Sequence, residues 1–454
     1  MSKTALSHLP TEVGIRIFKI VLYPEGQFSF TEFVGARWLV CRSSSQWLRI
    51  VKAYPAFWTH IRIDLETSAE VVETYLDRAG TMPINLCLDF HSIDNYFEAH
   101  REVQTVQQLV DERMTIVQKM SHRVQLIILE TEDRELYDCM QDALCMLHAP
   151  ILRDLMIRFT HIPSQWDYGA LNRPGWSASN LPAMERVHLY GTLFPFPFAS
   201  PQYATLKELR IFEVPKERPI SFTDFQNIIT ESPNLEELTL WGIYCTEVQS
   251  RPITSTSIHT LRIRFGPGTS FASLVSNFDF PALRNVEAEI AHQNDIDSAV
   301  LCAQLWTRVT RLKIRDNGRD MHGIPALFDL FRSVTHLDAT ECEGSMLSEL
   351  TRYSDFHIQN GRTTVFGELQ SFMVAHAAGR EVLQFCLRHG AKERSDGHDL
   401  KLKEVVMVHV GEPHGAHATS VEWMKVHIQK FILRTVEYKP RESVETEVAR
   451  VIAS

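Results

Sequence analysis

What most constrains this chain is a short aliphatic pattern, L-x-x-L-x-L with other aliphatics allowed, that keeps returning from residue 120 onward. It stands at Val124/Ile127/Leu129, Leu152/Leu155/Ile157, Met184/Val187/Leu189, Leu206/Leu209/Ile211, Leu235/Leu238/Leu240 and Ile258/Leu261/Ile263. It continues at Leu283/Val286/Ala288, Val309/Leu312/Ile314 and Val334/Leu337/Ala339, with weaker copies at Leu369/Phe372/Val374 and Leu402/Val405/Met407. First positions run from 124 to 402, a mean period of about 28 residues, although single gaps vary from 22 to 35.

The last two aliphatics of each copy are two residues apart, so both point to one face of a strand. Between copies lie helical stretches, Phe222 to Ile229, Asp295 to Leu305, Pro325 to Phe331 and Glu381 to Leu387, that return the chain for a parallel neighbour. One such unit has too little apolar area to fold alone, and stacking makes its core continuous. The expected fold class is therefore α/β: at least eight short strands in one curved parallel sheet, with helices on its outer side. The pattern resembles leucine-rich repeats, whose usual period of 20–29 residues covers the mean spacing. The asparagine those repeats carry three residues after the last aliphatic is almost absent. Asn317 and Cys342 fill that position, and most copies leave it to other types. The expectation is an irregular solenoid.

Residues alternating with the aliphatics face the other way, and in-register stacking sets equivalent positions about 4.8 Å apart. One ladder reads Arg158, Tyr190, Phe212, Trp241, Arg264, Glu289, Arg315, Thr340; the next reads Met156, His188, Arg210, Thr239, Arg262, Glu287, Lys313, Asp338. The alternating charges are expected to satisfy one another across adjacent strands. Tyr190, Phe212 and Trp241, with Arg264 beside them, form an aromatic row on an expected wet face. Two readings stand: a row packed under the 163–180 loop, or a partner-binding patch, where Trp, Tyr and Arg are over-represented.

Ahead of the repeats, Leu9-Pro10-Thr11-Glu12 reads as a helix start, because proline suits the first helical position and Glu12 meets the positive end of the helix dipole. Leu9, Val13, Ile17 and Ile20 form one apolar stripe, followed by helical segments holding Val40, Cys41 and Trp47. Three short helices in some fifty residues barely bury a core alone. The strings LPTEVGIRIF, LVCRSSSQWLRI and AFWTHIRI resemble the F-box, with its LP-x-E-[IV] opening, V-C-R-x-x-x-x-W centre and closing tryptophan. The connection between Leu22 and Arg37 is longer than in the compact form, as in fungal F-box-like proteins. The resemblance implies docking on the adaptor subunit of a cullin–RING (SCF-type) ubiquitin ligase complex, with an unknown protein substrate held by the repeats. It assigns Leu9, Pro10, Val13, Ile17, Val40, Cys41 and Trp47 to docking or to shaping the docking surface. It also implies that the chain itself is not an enzyme. A repeat scaffold outside any ligase is the alternative.

The domains expected are an F-box-like motif at 1–60, connecting helices and a strand at 61–120, the solenoid at 121–420, and a cap helix with a charged tail at 421–454. In the connecting segment, SAEVVETYLDRAG predicts a helix capped by Ser68 and Gly80. Ile84-Leu86-Leu88 then predicts a strand, and Val103 to Val117 a long helix. Val421, Met424, Ile428, Phe431 and Ile432 are assigned to the cap helix. A net charge of −10 argues against a nucleic-acid partner, whose phosphates need neutralising. No membrane partner is expected either, since no run of 18 apolar residues exists and the first residues lack a secretory signal. Eight scattered cysteines without a CxxC pair suit a reducing cytoplasmic or nuclear setting. No phosphate loop, nucleophile elbow or H-E-x-x-H is present. His409, His414 and His417 are the most metal-like spacing, but they lack companion cysteines or carboxylates. A solvated loop is the reading there, with no metal and no cofactor expected.

Overall fold

The computed structural model describes residues 45–91, 106–145, 147–159, 184–191, 201–214, 219–246, 251–264, 274–290, 302–316, 330–342, 368–375, 402–410 and 416–436, and ten single positions (13, 16, 37, 41, 42, 352, 382, 383, 385 and 386). The chain forms two compact units, the first through Leu206 and the second from Lys207 to Lys439.

In the first unit a helix at Ser45–Ala53 and a 3-10 turn at Pro55–Trp58 lead into β1 (His60–Ile63). Four further strands pair in sequence order and in parallel: β2 (Ile84–Phe90), β3 (Val124–Thr131), β4 (Asp154–Phe159) and β5 (Arg186–Tyr190). The predicted helix forms at Ala69–Ala79, where the Ser68 side chain accepts from the Val71 N–H. Gly80 ends it at φ 59°, a conformation that disfavours a side chain. Proline at 83 precedes β2 as expected. The helix Val106–Met120 buries Val110, Met114 and Val117, three and four residues apart, which is the stripe its sequence shows.

The second unit repeats one step many times. Its parallel strands are β6 (Glu208–Phe212), β8 (Glu237–Trp241), β11 (Thr260–Arg264), β13 (Asn285–Ile290), β14 (Arg311–Asp316), β15 (His336–Glu341), β16 (Ser371–Ala375), β17 (Glu404–Val410) and β18 (Lys430–Val436). Between them lie two short ladders, β7 (Ile220–Ser221) with β9 (Cys245–Thr246) and β10 (Ile253–Thr254) with β12 (Phe278–Asp279). A helix at Phe222–Glu231, capped by Ser221, buries Phe222, Phe225, Ile228 and Ile229. Ala303–Trp306 is helical, as are Val382, Leu383, Phe385 and Cys386, all within or beside expected helical stretches.

All eleven aliphatic copies become strands, and within the second unit they pair at the expected register up to a shift between β14 and β15: Leu238 sits between Leu209 and Leu261, and Leu312 between Val286 and Leu337. In several copies, among them those led by Leu152, Leu206 and Val334, the leading aliphatic sits at the end of a tight turn. Leu235 N–H bonds the Ser232 carbonyl at 3.1 Å, Leu283 that of Phe280 at 3.0 Å and Val309 that of Trp306 at 3.1 Å. Just before the strand, one carbonyl then accepts two successive N–H groups of the next repeat. Lys207 accepts from Glu236 and Glu237, His259 from Arg284 and Asn285, and Gln370 from Lys403 and Glu404. This recurring bond locks each strand to its neighbour and satisfies backbone groups that burial would otherwise leave unpaired. Each buried leucine beneath contributes about 1.5–3 kcal/mol.

Three expectations need correction. Parallel pairing starts at β1 and β2, so the segment read as connecting helices and strand already belongs to the sheet of the first unit. Phe431 and Ile432 do not continue the cap helix, which spans Ala416–His427; they lie in β18, where Phe431 pairs with Val405. The run KFILRTV is aliphatic and β-branched, and the open edge of β17 offers it a full hydrogen-bonding partner. Finally, Thr340 does not face Arg315. The Asp338 carboxylate accepts from the Thr340 N–H at 2.9 Å and from its hydroxyl at 2.7 Å, the strand bulges, and Glu341 takes the position beside Arg315.

Candidate functional site

The residues that carry the F-box resemblance are placed only in part. Leu9, Pro10, Ile17 and Val40 lie outside the described residues. Val13 is helical and 39 % exposed, Cys41 is half-buried, and Trp47 is 6 % exposed. Trp47 thus shapes the unit from inside. The closing tryptophan, Trp58, is also buried and donates its indole N–H to the Val51 carbonyl at 2.7 Å. Sequence reasoning missed Arg37, which lies at the end of the long connection and is buried against this tryptophan. Its Nη1 donates to the carbonyls of Phe57 and His60, and its guanidinium lies 5.1 Å from the Trp58 ring and 4.5 Å from the Tyr75 ring. The last third of the F-box-like segment is therefore part of the first unit's core.

On the face of the second unit opposite the leucines, β6, β8, β11, β13 and β14 bring the expected ladders together. Phe212 and Trp241 are paired neighbours and meet edge to face, with centroids 5.3 Å apart at 87°. They are 4 % and 7 % exposed, so two of the three rings expected on a wet surface are enclosed. Tyr190 is half-buried on β5 of the first unit, beside Arg158. The 163–180 stretch weighed as a cover lies outside the described residues.

Arg264 sits beside Trp241 as expected, with its side chain 36 % exposed. It pairs with Glu289 at 3.2 Å and with Glu213 at 3.7 Å. Arg262 bridges Glu237 at 2.8 Å and Glu287 at 3.2 Å. Glu287 also receives Lys313 and Arg315, and the Arg315 guanidinium lies 5.8 Å from the Trp241 ring. Arg210 is buried against Glu208, and desolvation lowers its pKa. The alternating charges do satisfy one another. Glu213 was not legible in the repeat pattern, because it follows the strand. It is the one described non-glycine residue with positive φ, 49°, and its carboxylate occupies the space a Cβ on Gly242 would need. Burial raises its pKa, Arg264 opposes that shift, and Glu289 adds to it.

No family model and no curated protein matches the chain. The site therefore has to be read from its own geometry.

In the first unit a second charged cluster stands at the ends of β2 and β3. Asp89, His91 and Glu130 bring possible metal-ligand atoms within 4.8 Å of one another. Each is already engaged: Arg62 and the His91 Nδ1 both lie 2.7 Å from Asp89, and Arg158 lies 3.2 Å from Glu130. The hydrogen bond to Asp89 raises the His91 pKa, and that same bond with Arg62 lowers the Asp89 pKa despite burial. A cation here would compete with two guanidiniums. This cluster escaped the sequence reading because β2 was set outside the repeats; extending the ladder by two strands exposes it. The side chains of His409, His414 and His417 lie outside the described residues. Among the described residues Cys87, Cys245, Cys302, Cys342 and Cys386 are buried, and burial pushes the thiols of Cys245, Cys302 and Cys386 up to about 12. Thiols held that far from thiolate are inert as nucleophiles. No helix among the described residues is long and apolar enough to cross a membrane.

Proposed function

We propose that this chain is a non-enzymatic substrate-recognition subunit of a cullin–RING ubiquitin ligase. Its F-box-like segment docks the adaptor, and its leucine-rich-repeat-like strands hold a protein substrate. The observation that carries the reading is the coupling of the LP-x-E-V, V-C-R-x-x-x-x-W and closing-tryptophan strings to a run of parallel strands in one register. Such a ladder presents rigid, evenly spaced side chains and suits recognition. Catalysis would then be proximity supplied in trans.

The test is capture of the adaptor subunit by the full chain, compared with the Leu9→Ala/Pro10→Ala variant. Strong capture by the wild type and loss in the variant, with the melting temperature unchanged, is the expected result. Deleting residues 1–60 is a poorer probe, because it removes Arg37, Trp47 and Trp58 from the core of the first unit. That same burial favours the rival reading, in which the segment is only an N-terminal cap on a repeat scaffold outside any ligase. Absence of adaptor capture by the wild type would decide for the rival.

A further inference from the structure

The run KFILRTV gives the second unit an end at which apolar side chains are not closed over. Among the described residues β18 is the last strand of the sheet. On β17, Val405, Val406 and Met407 are 0 %, 5 % and 0 % exposed. Their partners on β18, Phe431, Ile432 and Leu433, are all half-buried. On the cap helix before them Val426 is 76 % exposed. A repeat stack normally ends in a polar cap, because an open end leaves core side chains in water. The backbone of β18 is open as well. Lys430 donates its N–H to the Lys403 carbonyl of the neighbouring repeat. Backbone groups alternate in direction along a strand, so those of Phe431, Leu433 and Thr435 turn away from β17. Such an edge is a template for another strand.

We propose that this edge docks a second copy of the chain, β18 pairing antiparallel with its own equivalent about Leu433 to form a two-fold dimer. The charges of the strand select that register. Leu433 then stands opposite the partner's Leu433, Phe431 opposite the partner's Thr435, Ile432 opposite the partner's Arg434 and Lys430 opposite the partner's Val436. No like charges are directly opposed, and the whole strand is used. A slip of one residue sets the core face of one copy against the opposite face of the other. A slip of two sets Lys430 against Arg434, or Arg434 against its own equivalent. A strand added in parallel, as the repeats are, would expose a new edge, whereas two identical edges related by a two-fold close each other. The inference goes beyond the ligase reading and does not depend on it. Two copies joined here would offer two recognition faces to a multivalent partner.

Sedimentation equilibrium of the full chain tests this. The mass should exceed the 52.2 kDa of one copy and rise with concentration towards twice that value. Thr435→Pro removes an N–H turned away from β17, so it should give a monomer with an unchanged melting temperature. Ile432→Glu and Ile432→Arg lose the same apolar contact and differ only in the charge set against Arg434. The glutamate variant should dimerise about tenfold more tightly than the arginine variant, because the two-fold repeats the pair. A wild type that stays monomeric, a dimer indifferent to Thr435→Pro, or no difference between the two Ile432 variants would each overturn the proposal. In a monomeric wild type, protection of the β18 amides from hydrogen exchange would assign the edge to another segment of this chain.

Discussion

The Arg37 guanidinium donates to the Phe57 carbonyl twenty residues further along the chain, at 3.1 Å, while lying over the neighbouring rings of Trp58 and Tyr75. This one side chain also donates to the His60 carbonyl and so ties position 37 to β1. Its pKa is lowered by desolvation, and Tyr75 partly opposes that shift. Arg37→Ala should leave two buried carbonyls short of a donor and remove the ring contacts, at about 2–4 kcal/mol. Arg37→Lys should recover less than half of that, because an ammonium lacks the planar fork. Urea unfolding followed by tryptophan fluorescence checks both, and full recovery by lysine would show that only the charge matters.

Trp241 is enclosed against Phe212, so its loss is first a packing loss. Trp241→Ala should destabilise the second unit by about 3–5 kcal/mol, lowering its melting temperature by roughly 6–20 °C. Trp241→Phe should stay within about 1 kcal/mol of wild type. A melting temperature near wild type in the alanine variant would mean that the ring is not part of the core.

Glu213 and Gly242 face each other in a tight crossing, with the Glu213 N–H bonded to the Trp241 carbonyl at 2.7 Å. A Cβ on Gly242 would lie 2.7 Å from Glu213 Oε2, and Gly242 itself has φ 60°. Gly242→Ala should therefore cost about 1–2 kcal/mol. Glu213→Gly relieves a left-handed residue and gives up only a half-exposed ion pair, so it should be stabilising by a few tenths of a kcal/mol, up to about 1. Much of the alanine penalty should vanish in the double variant, because the clash is with the Glu213 side chain. Strict additivity in chemical denaturation would refute that coupling.

His60 sets an acid sensitivity in the first unit. Gln125 donates to the Asn85 side-chain oxygen, the Asn85 amide donates to His60 Nε2 at 2.7 Å, and the Thr59 hydroxyl, which donates to Ala56, accepts from Nδ1. A proton on Nε2 would break that chain. Burial, with the Arg37 charge adding to it, pushes the His60 pKa down to about 3. An unfolded histidine titrates near ~6.5, so between these values the folded state binds fewer protons. Stability should be full above about pH 6.5 and fall by roughly 1.4 kcal/mol per pH unit below it, towards pH 3. His60→Gln should flatten this slope between pH 6.5 and 5. A slope unchanged in that variant would assign the acid sensitivity to other groups.

Strand positions and their register were readable from the amino-acid order alone. Leu209, Leu238, Leu261, Val286 and Leu312 recur with a two-residue companion, and a period of two admits one facing and one partner position. The charge ladder Arg262, Glu287, Lys313 followed for the same reason, since opposite signs at paired positions satisfy each other locally. Other features depended on what the rest of the chain supplies. Phe431 joined β18 because the edge of β17 was open, and Thr340 slipped because the Asp338 carboxylate captured its amide. Arg37 is buried because two carbonyls and two rings meet around it, and the enclosure of Phe212 and Trp241 depends on the neighbours that pack over them. Periodicity is written in consecutive residues, so it survives without a tertiary structure. Enclosure is a property of groups distant in sequence, and only the folded chain decides it.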